Sequence, residues 1–203
     1  MVIRLLASCL LVLTLAGCAA TRPSSPDTRF YTLEYDPPLV DGQPCSAVIQ
    51  MTRFGVAPEF NTTKLVYRDL AFGRQEYAYH QWRGTPQALV ADYLRRDMQK
   101  SGLFMAVAGP NSSMPATHQL EGVVEEWMEL DQAERWLASA ELTIILLDVR
   151  TGGIPDLVIF QRTYKTSEPC AKKNPASVAE AMSRVMRNLS QRIVTDVHAA
   201  VRN

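Results

Sequence analysis

The chain ends in a long helical pattern with a single apolar stripe, and this stripe limits the available folds more than any other feature. Val178, Met182, Val185, Met186, Leu189, Ile193, Val197 and Val201 recur at three- and four-residue steps, which places them along one side of an α-helix. One stripe cannot close a core alone, so it has to lie on another element. The Ser177-to-Glu180 spacing fits a capping box, and Asn174-Pro175 offers a slightly earlier start. A second helix opens at Thr85, a candidate N-cap, and Pro86, and stops at Gly102. Its stripe is Leu89, Val90, Tyr93, Leu94 and Met98, again on one side.

The surface that receives both stripes is a sheet. Residues 30–35 (FYTLEY, stopped by Pro37-Pro38), 47–54, 64–70 and 76–83 read as strands. In the last of these Tyr77, Tyr79 and Gln81 fall on one face, with Ala78, His80 and Trp82 on the other. A short apolar run follows at 103–109, then a Pro/Asn/Ser loop. Three more strands are predicted over 118–130, 137–149 and 157–166. The first slips register near Glu125-Glu126, and the second aligns Ala138, Ala140, Leu142, Ile144 and Leu146. Thr151-Gly152-Gly153 supplies the tight turn of the final hairpin. The expected fold class is therefore α/β: a two-layer sandwich, with an antiparallel or mixed sheet and two amphipathic helices packed on one face. Strands arriving in runs argue against a doubly wound parallel fold. The open sheet face is either wet or covered by a partner.

The other end of the chain carries an address. Arg4, the apolar run Leu5 to Leu15, and Leu15-Ala16-Gly17-Cys18 form a bacterial lipobox: small residues at the cleavage point, then the cysteine that takes diacylglycerol. The apolar run is too short for a spanning helix, which needs about 20 residues. An ordinary export signal with an incidental cysteine is the alternative. The lipobox divides the chain into a signal peptide (1–17), a lipidated Cys18 with a tether (18–28) and one domain (29–203). Removal of the signal leaves 203 − 17 = 186 residues, enough for a proper core. Ala19 to Thr28, with two prolines and two serines, reaches about 30 Å when extended. Without Arg4 the mature chain has 21 − 1 = 20 basic residues against 21 acidic. This balance leaves no footprint for nucleic acid and no polybasic membrane patch. Membrane contact is expected through lipid, with covalent acyl chains such as palmitate on Cys18 and no other cofactor. Signal removal and acylation leave Cys45 and Cys170 as an even pair in an oxidising compartment, where a disulfide is expected. Two free thiols are the alternative.

Catalytic patterns are missing. The three histidines, His80, His118 and His198, share no metal-ligand spacing. There is no HExxH, Cys-x-x-Cys, nucleotide loop or nucleophile elbow. Glu125, Glu126, Glu129 and Asp131 form an acidic cluster, read as a solvated strand edge in preference to a cation site. No enzyme activity and no metal are expected. The aromatic residues are more informative. Phe30, Tyr31, Tyr77, Tyr79 and Trp82 are candidates for contact with a partner or lipid, against a default of core packing.

The order of these pieces resembles a known family. The lipobox and tether are followed by FYTL at Phe30 to Leu33 and LVYR at Leu65 to Arg68. YAYHQWRGTPQALVADYLRRDMQKSGLF then covers Tyr77 to Phe104. Together they resemble the ABC-type transport auxiliary lipoprotein family, the PqiC-like lipoproteins of MCE-type intermembrane transport systems. The resemblance implies a non-catalytic accessory of lipid or hydrophobic-solute transport, with MCE-domain proteins and a permease-ATPase as partners. It transfers one residue role, acylation of Cys18. Ala19 lacks the aspartate that retains lipoproteins at the inner membrane of enteric bacteria, which favours the periplasmic face of the outer membrane; inner-membrane retention stays open. An assembly or pilotin-like factor for an envelope secretion or pore complex is the second reading. A homo-oligomeric ring is permitted by the one-sided sheet and not required by it.

Overall fold

The computed structural model describes residues 26–150 and 157–202. The leader, Cys18, most of the tether and the Thr151-Gly152-Gly153 turn lie outside the described residues. In chain order the elements are β1 (Arg29–Tyr31), β2 (Cys45–Met51), β3 (Gly55–Val56), β4 (Lys64–Arg68), β5 (Gln75–Trp82), α1 (Pro86–Ser101), β6 (Phe104–Ala108), β7 (His118–Asp131), β8 (Trp136–Asp148), β9 (Leu157–Pro169) and α2 (Pro175–Val201). A 3-10 turn spans Pro58–Phe60.

These strands form one nine-stranded mixed sheet organised around β7. One edge of β7 pairs antiparallel with β8 from His118 to Asp131, and β8 pairs antiparallel with β9. The other edge is shared by three parallel neighbours: β2 at His118–Leu120, β3 at Val123–Val124 and β4 at Glu129–Leu130. The sharing follows from length. A strand of 14 residues is about 45 Å long, and no single neighbour on that edge matches it. The sheet forks as a result. A β2–β6 arm leaves the start of β7, and a β4–β5–β1 arm leaves its end. The expected register slip is present between Val124 and Glu126. Before it Leu120, Gly122 and Val124 share the face of Leu146, Ile144 and Leu142; beyond it Trp127 shares the face of Ala140. The small side chains of Ala138 and Ala140 leave room for Trp127, whose ring meets Trp82 edge-on at 5.7 Å.

Gly122 is held by a close approach. A Cβ there would stand 2.3 Å from Cε2 of the Phe54 ring. Gly122→Ala is expected to cost about 1–3 kcal/mol by overpacking. Phe54→Leu should recover part of that loss in the double variant, a non-additivity read by urea denaturation.

Both helices lie on the face of Leu142 and Ile144. α1 packs on β6, β7 and β3, and α2 packs on β8, β9 and β2. α1 begins at Pro86 after an extended Thr85 whose side chain makes no cap bond, and it ends at Gly102 with φ 67°. The left-handed backbone there suits a residue without Cβ. α2 takes the earlier of its two expected starts. The capping box does not form, because Pro175 takes the first helical position and the Asn174 side chain accepts from the Ser177 amide at 2.9 Å. Ser177 is thus inside the first turn, and Glu180 pairs instead with Arg184 at 3.1 Å.

The stripe of α2 is also wider than its periodicity indicates. Ala181, Ser183, Ser190 and Val194 are buried beside the expected residues. The cause is the segment between β1 and β2, which runs along α2 in step with it. The Glu34 amide donates to Ser183 Oγ at 3.0 Å, Gln191 reaches the Leu39 carbonyl, and His198 Nε2 lies 2.8 Å from the Gln43 carbonyl. This strap seals the helices from outside. On the opposite sheet face β8 and β9 are polar: Thr143 meets Thr163 at 3.1 Å, and Lys165 bridges Glu126 (3.0 Å) and Glu141 (2.8 Å).

Candidate functional site

The aromatic residues singled out from the sequence fall on the β4–β5–β1 arm, and an irregular pairing decides what each can do. Lys64 lies opposite Gln81, yet Val66 lies opposite Glu76. The extra β5 residues break strict alternation. Tyr77 and His80, expected on opposite faces, therefore meet edge-on with ring centres 5.6 Å apart. His80 stacks on Tyr31 at 5.8 Å, and the Tyr31 hydroxyl is 2.8 Å from its Nδ1. Tyr77 also packs on Tyr67 at 4.9 Å and donates to Glu129 Oε2 at 3.0 Å. The result is a continuous chain from the sheet edge inward: Tyr31, His80, Tyr77, Glu129.

Its inner end is sealed. Glu129 is 1% exposed, so the acidic cluster is not a uniformly solvated edge. Burial, with Asp131 nearby, pushes the Glu129 carboxyl up to about 7, although the Tyr77 hydrogen bond works against that rise. Burial and the neighbouring Glu129 raise the Tyr77 phenol. Burial and the Arg29 charge lower the His80 imidazole. General acid–base work needs a titrating group within reach of a substrate proton. Glu129 is shut inside the sheet, so the cluster is built for packing.

The outer end is a surface. Phe30 and Tyr79 are 53% and 45% exposed, and the Arg83 guanidinium lies 5.8 Å from the Phe30 ring centre. Phe30 pairs with Gln81, which puts it on the side of Tyr79. A shallow cleft of about 500 Å³ between β1 and the start of α2 is lined by Phe30, Tyr31, Glu34, Arg83, Glu180 and Ser183. Trp82 is a correction. At 2% exposure against Trp127 it belongs to the core and offers nothing to a partner.

The cysteine pair is a second correction. Cys45 and Cys170 are both free thiols. Cys45 begins β2, ahead of the Ile49–His118 pairing at the start of β7, while the Cys170 amide bonds to the Trp136 carbonyl beside the end of β7. Most of the length of β7 separates them along the sheet, about 40 Å, whereas a bridge needs Cα atoms within about 7 Å. Burial, with Glu129 nearby, raises the Cys170 thiol to about 11, which keeps it protonated and unreactive.

Two features escaped sequence reasoning. One is a buried cluster under the strap, where Tyr35 donates to Asp97 at 2.8 Å and the Arg96 guanidinium lies over the Tyr35 and Tyr93 rings at 4.4 and 4.6 Å. Asp97 falls on the polar side of the α1 pattern, so periodicity gave no signal. The other is the turn between β4 and β5, where Leu70 is 69% exposed and Phe72 is fully exposed. The sequence pattern carried the strand through Leu70, whereas β4 stops at Arg68 and leaves Leu70 and Phe72 in a turn flanked by Arg68 and Arg74. Among the described residues no helix is long and apolar enough to cross a membrane.

Comparison with solved structures places the fold among bacterial relatives of low identity. A Xanthomonas campestris protein of family DUF330 superposes with a TM-score of 0.77 at 18% identity, covering 85% of this chain and 96% of its own. A hypothetical protein of Chlamydia trachomatis superposes at 0.59 and 14% identity, covering 78% of this chain and 100% of its own. No curated protein matches the chain. The model of the ABC-type transport auxiliary lipoprotein component matches residues 31–194, from the end of β1 to well into α2. This span takes in both arms of the sheet and the strap, and the chain accordingly belongs to the ABC-type transport auxiliary lipoprotein family.

Proposed function

We propose that this protein is a lipid-anchored, non-catalytic accessory of an ABC- and MCE-type system that moves lipid or another hydrophobic solute, held at the periplasmic face of the outer membrane. One juxtaposition carries the reading: a lipobox ending at Cys18 stands just upstream of a family match that begins at residue 31. The single domain from residue 29 onward is then carried by acyl chains through a short tether. Ala19 supports release to the outer membrane. The sealed Glu129 and the inert Cys170 thiol fit a role in binding and positioning, with the permease-ATPase supplying the work.

Cys18→Ser tests the anchor. Radiolabelled palmitate should enter the parent chain and be absent from the variant, and the variant should move from the membrane fraction to the soluble periplasm. Equal label in both refutes the anchor. Affinity purification of the acylated protein should bring down an MCE-domain protein, and deletion should raise outer-membrane permeability. Recovery of a secretin or pore subunit in its place would overturn the transport reading and leave the anchor standing.

A further inference from the structure

We infer that the β4–β5 turn, residues 69–74, is a second membrane contact that seats Leu70 and Phe72 in the headgroup region of the bilayer holding the Cys18 acyl chains. The inference rests on the lipid-anchor reading and extends it from how the protein is held to which end faces the lipid.

Three observations converge on this turn. The first is its chemistry: Leu70 and Phe72 are 69% and 101% exposed on a loop where burial against the protein is available to neither. Large side chains left in water on a soluble domain mark a surface that another phase covers. An aromatic residue beside leucine, with arginine close by, matches the depth profile of a bilayer interface.

The second is direction. β1 runs parallel to β5, with Arg29 opposite His80 and Tyr31 opposite Trp82. The chain therefore enters β1 from the side of β5 that leads back to the turn. Strand β5 rises about 3.3 Å per residue, so the turn lies roughly 20 Å from the start of β1. Residues 19–28 span about 30 Å of extended chain. The acylated cysteine and the turn can thus occupy one bilayer at once. Had β1 been antiparallel to β5, the anchor would leave from the opposite end.

The third is charge. The ends of β4 and β7 lie together because the two strands are parallel, with Arg68 opposite Leu130. This brings the turns at 69–74 and 132–135 to one end, with residues 171–174 beside them through the Leu137–Pro169 pairing. Arg74, Arg135, Lys172 and Lys173 are exposed there, and Arg68 is half-buried, against Asp69, Asp131 and Glu134. A chain of near-zero net charge presents a modest excess of cations at the end that carries its exposed apolar turn. Cations placed around an apolar tip suit lipid phosphates.

The test uses the acylated mature protein carrying Phe72→Trp, reconstituted into phosphatidylcholine vesicles with acyl chains brominated near the headgroup end. Position 72 is fully exposed, so the substitution leaves folding intact. The parent, whose Trp82 and Trp127 are buried and whose Trp136 is half-buried, supplies the background that is subtracted. Emission from position 72 should shift to the blue and lose about twofold in intensity on brominated vesicles, as expected for side chains seated about 5–10 Å into the interface. Leu70→Asp in the same chain should abolish the quenching while flotation with vesicles is retained. If the protein floats and position 72 is quenched no more than the parent, the turn does not touch lipid and this inference falls, with the anchor intact. A blue shift without bromine quenching means that a protein surface covers the turn, and overturns it equally. If the protein fails to float, the anchor and the docking fall together.

Discussion

Between about pH 5 and pH 8 the Glu129 carboxyl is expected to withdraw about 2–3 kcal/mol of folding stability as the pH rises. The carboxyl is raised from 4.5 to about 7 in the folded chain, first of all by burial. Between those two values the folded state holds a proton that the unfolded state has released. Its contribution is fully present below the unfolded value and is lost as the pH climbs through the folded one. Two histidines work in the opposite sense. Burial lowers His80 and His118, so what they contribute is lost as the pH falls. The clean measurement is therefore a difference: urea denaturation of the parent and of Glu129→Gln across this range. The glutamine keeps a partner for the Tyr77 hydroxyl and cannot ionise. The variant should be more stable than the parent at pH 8 by about 2 kcal/mol and nearly equal to it at pH 5. Equal gaps at both pH values would show that Glu129 is solvated in the folded chain.

The second large effect is expected under the strap. Asp97 is 1% exposed, accepts from the Tyr35 hydroxyl at 2.8 Å and pairs with Arg96 at 2.7 Å. The guanidinium of Arg96 lies over both the Tyr35 and Tyr93 rings, and the Tyr93 hydroxyl donates to the Leu33 carbonyl. Asp97→Ala removes the only carboxylate in the cluster and leaves a partly buried cation and a phenol without their acceptor. Breaking such a pair from one side costs about 3–5 kcal/mol. The loss should appear first as faster hydrogen exchange over residues 32–43, because this cluster pins the strap to α1. Asp97→Asn, which keeps an acceptor for Tyr35, should recover a large part of it. Unchanged exchange in the strap with full loss of stability would place the effect in α1 alone.

Legibility followed the range of the forces involved. Pattern along the chain was enough for both helices, for the β7 register slip at Val124–Glu126 and for the β8 face of Ala138 to Leu146, since each depends on neighbours within a few residues. The helix start was legible only as a pair of alternatives: a serine with glutamate three places on competes with Asn-Pro for one cap, and only the backbone at Asn174, φ −155° and ψ 157°, settles which oxygen reaches the amide. The site was legible as a list of aromatics and illegible as a surface. Alternation separated Tyr77 from His80, and a pairing irregularity between β4 and β5 joined them. Trp82 looked as available as Tyr79 until the fork of the sheet carried it against Trp127. The cysteine count was right in parity and silent on distance, because no spacing in sequence reports that β7 lies between Cys45 and Cys170.

By itself the sequence determined the local facts: a lipobox pattern ending at Cys18, two helices, strands in runs, and no recognisable catalytic motif. These depend on residue type and short-range periodicity, which a chain carries whatever its fold. Tertiary structure alone decided which strands share the edge of β7, how the strap makes α2 buried on two sides, and that the parallel pairing of β1 aims the chain's entry at the exposed turn of Leu70 and Phe72. Those outcomes are set by pairing between residues far apart in sequence, where no local pattern discriminates one partner from another.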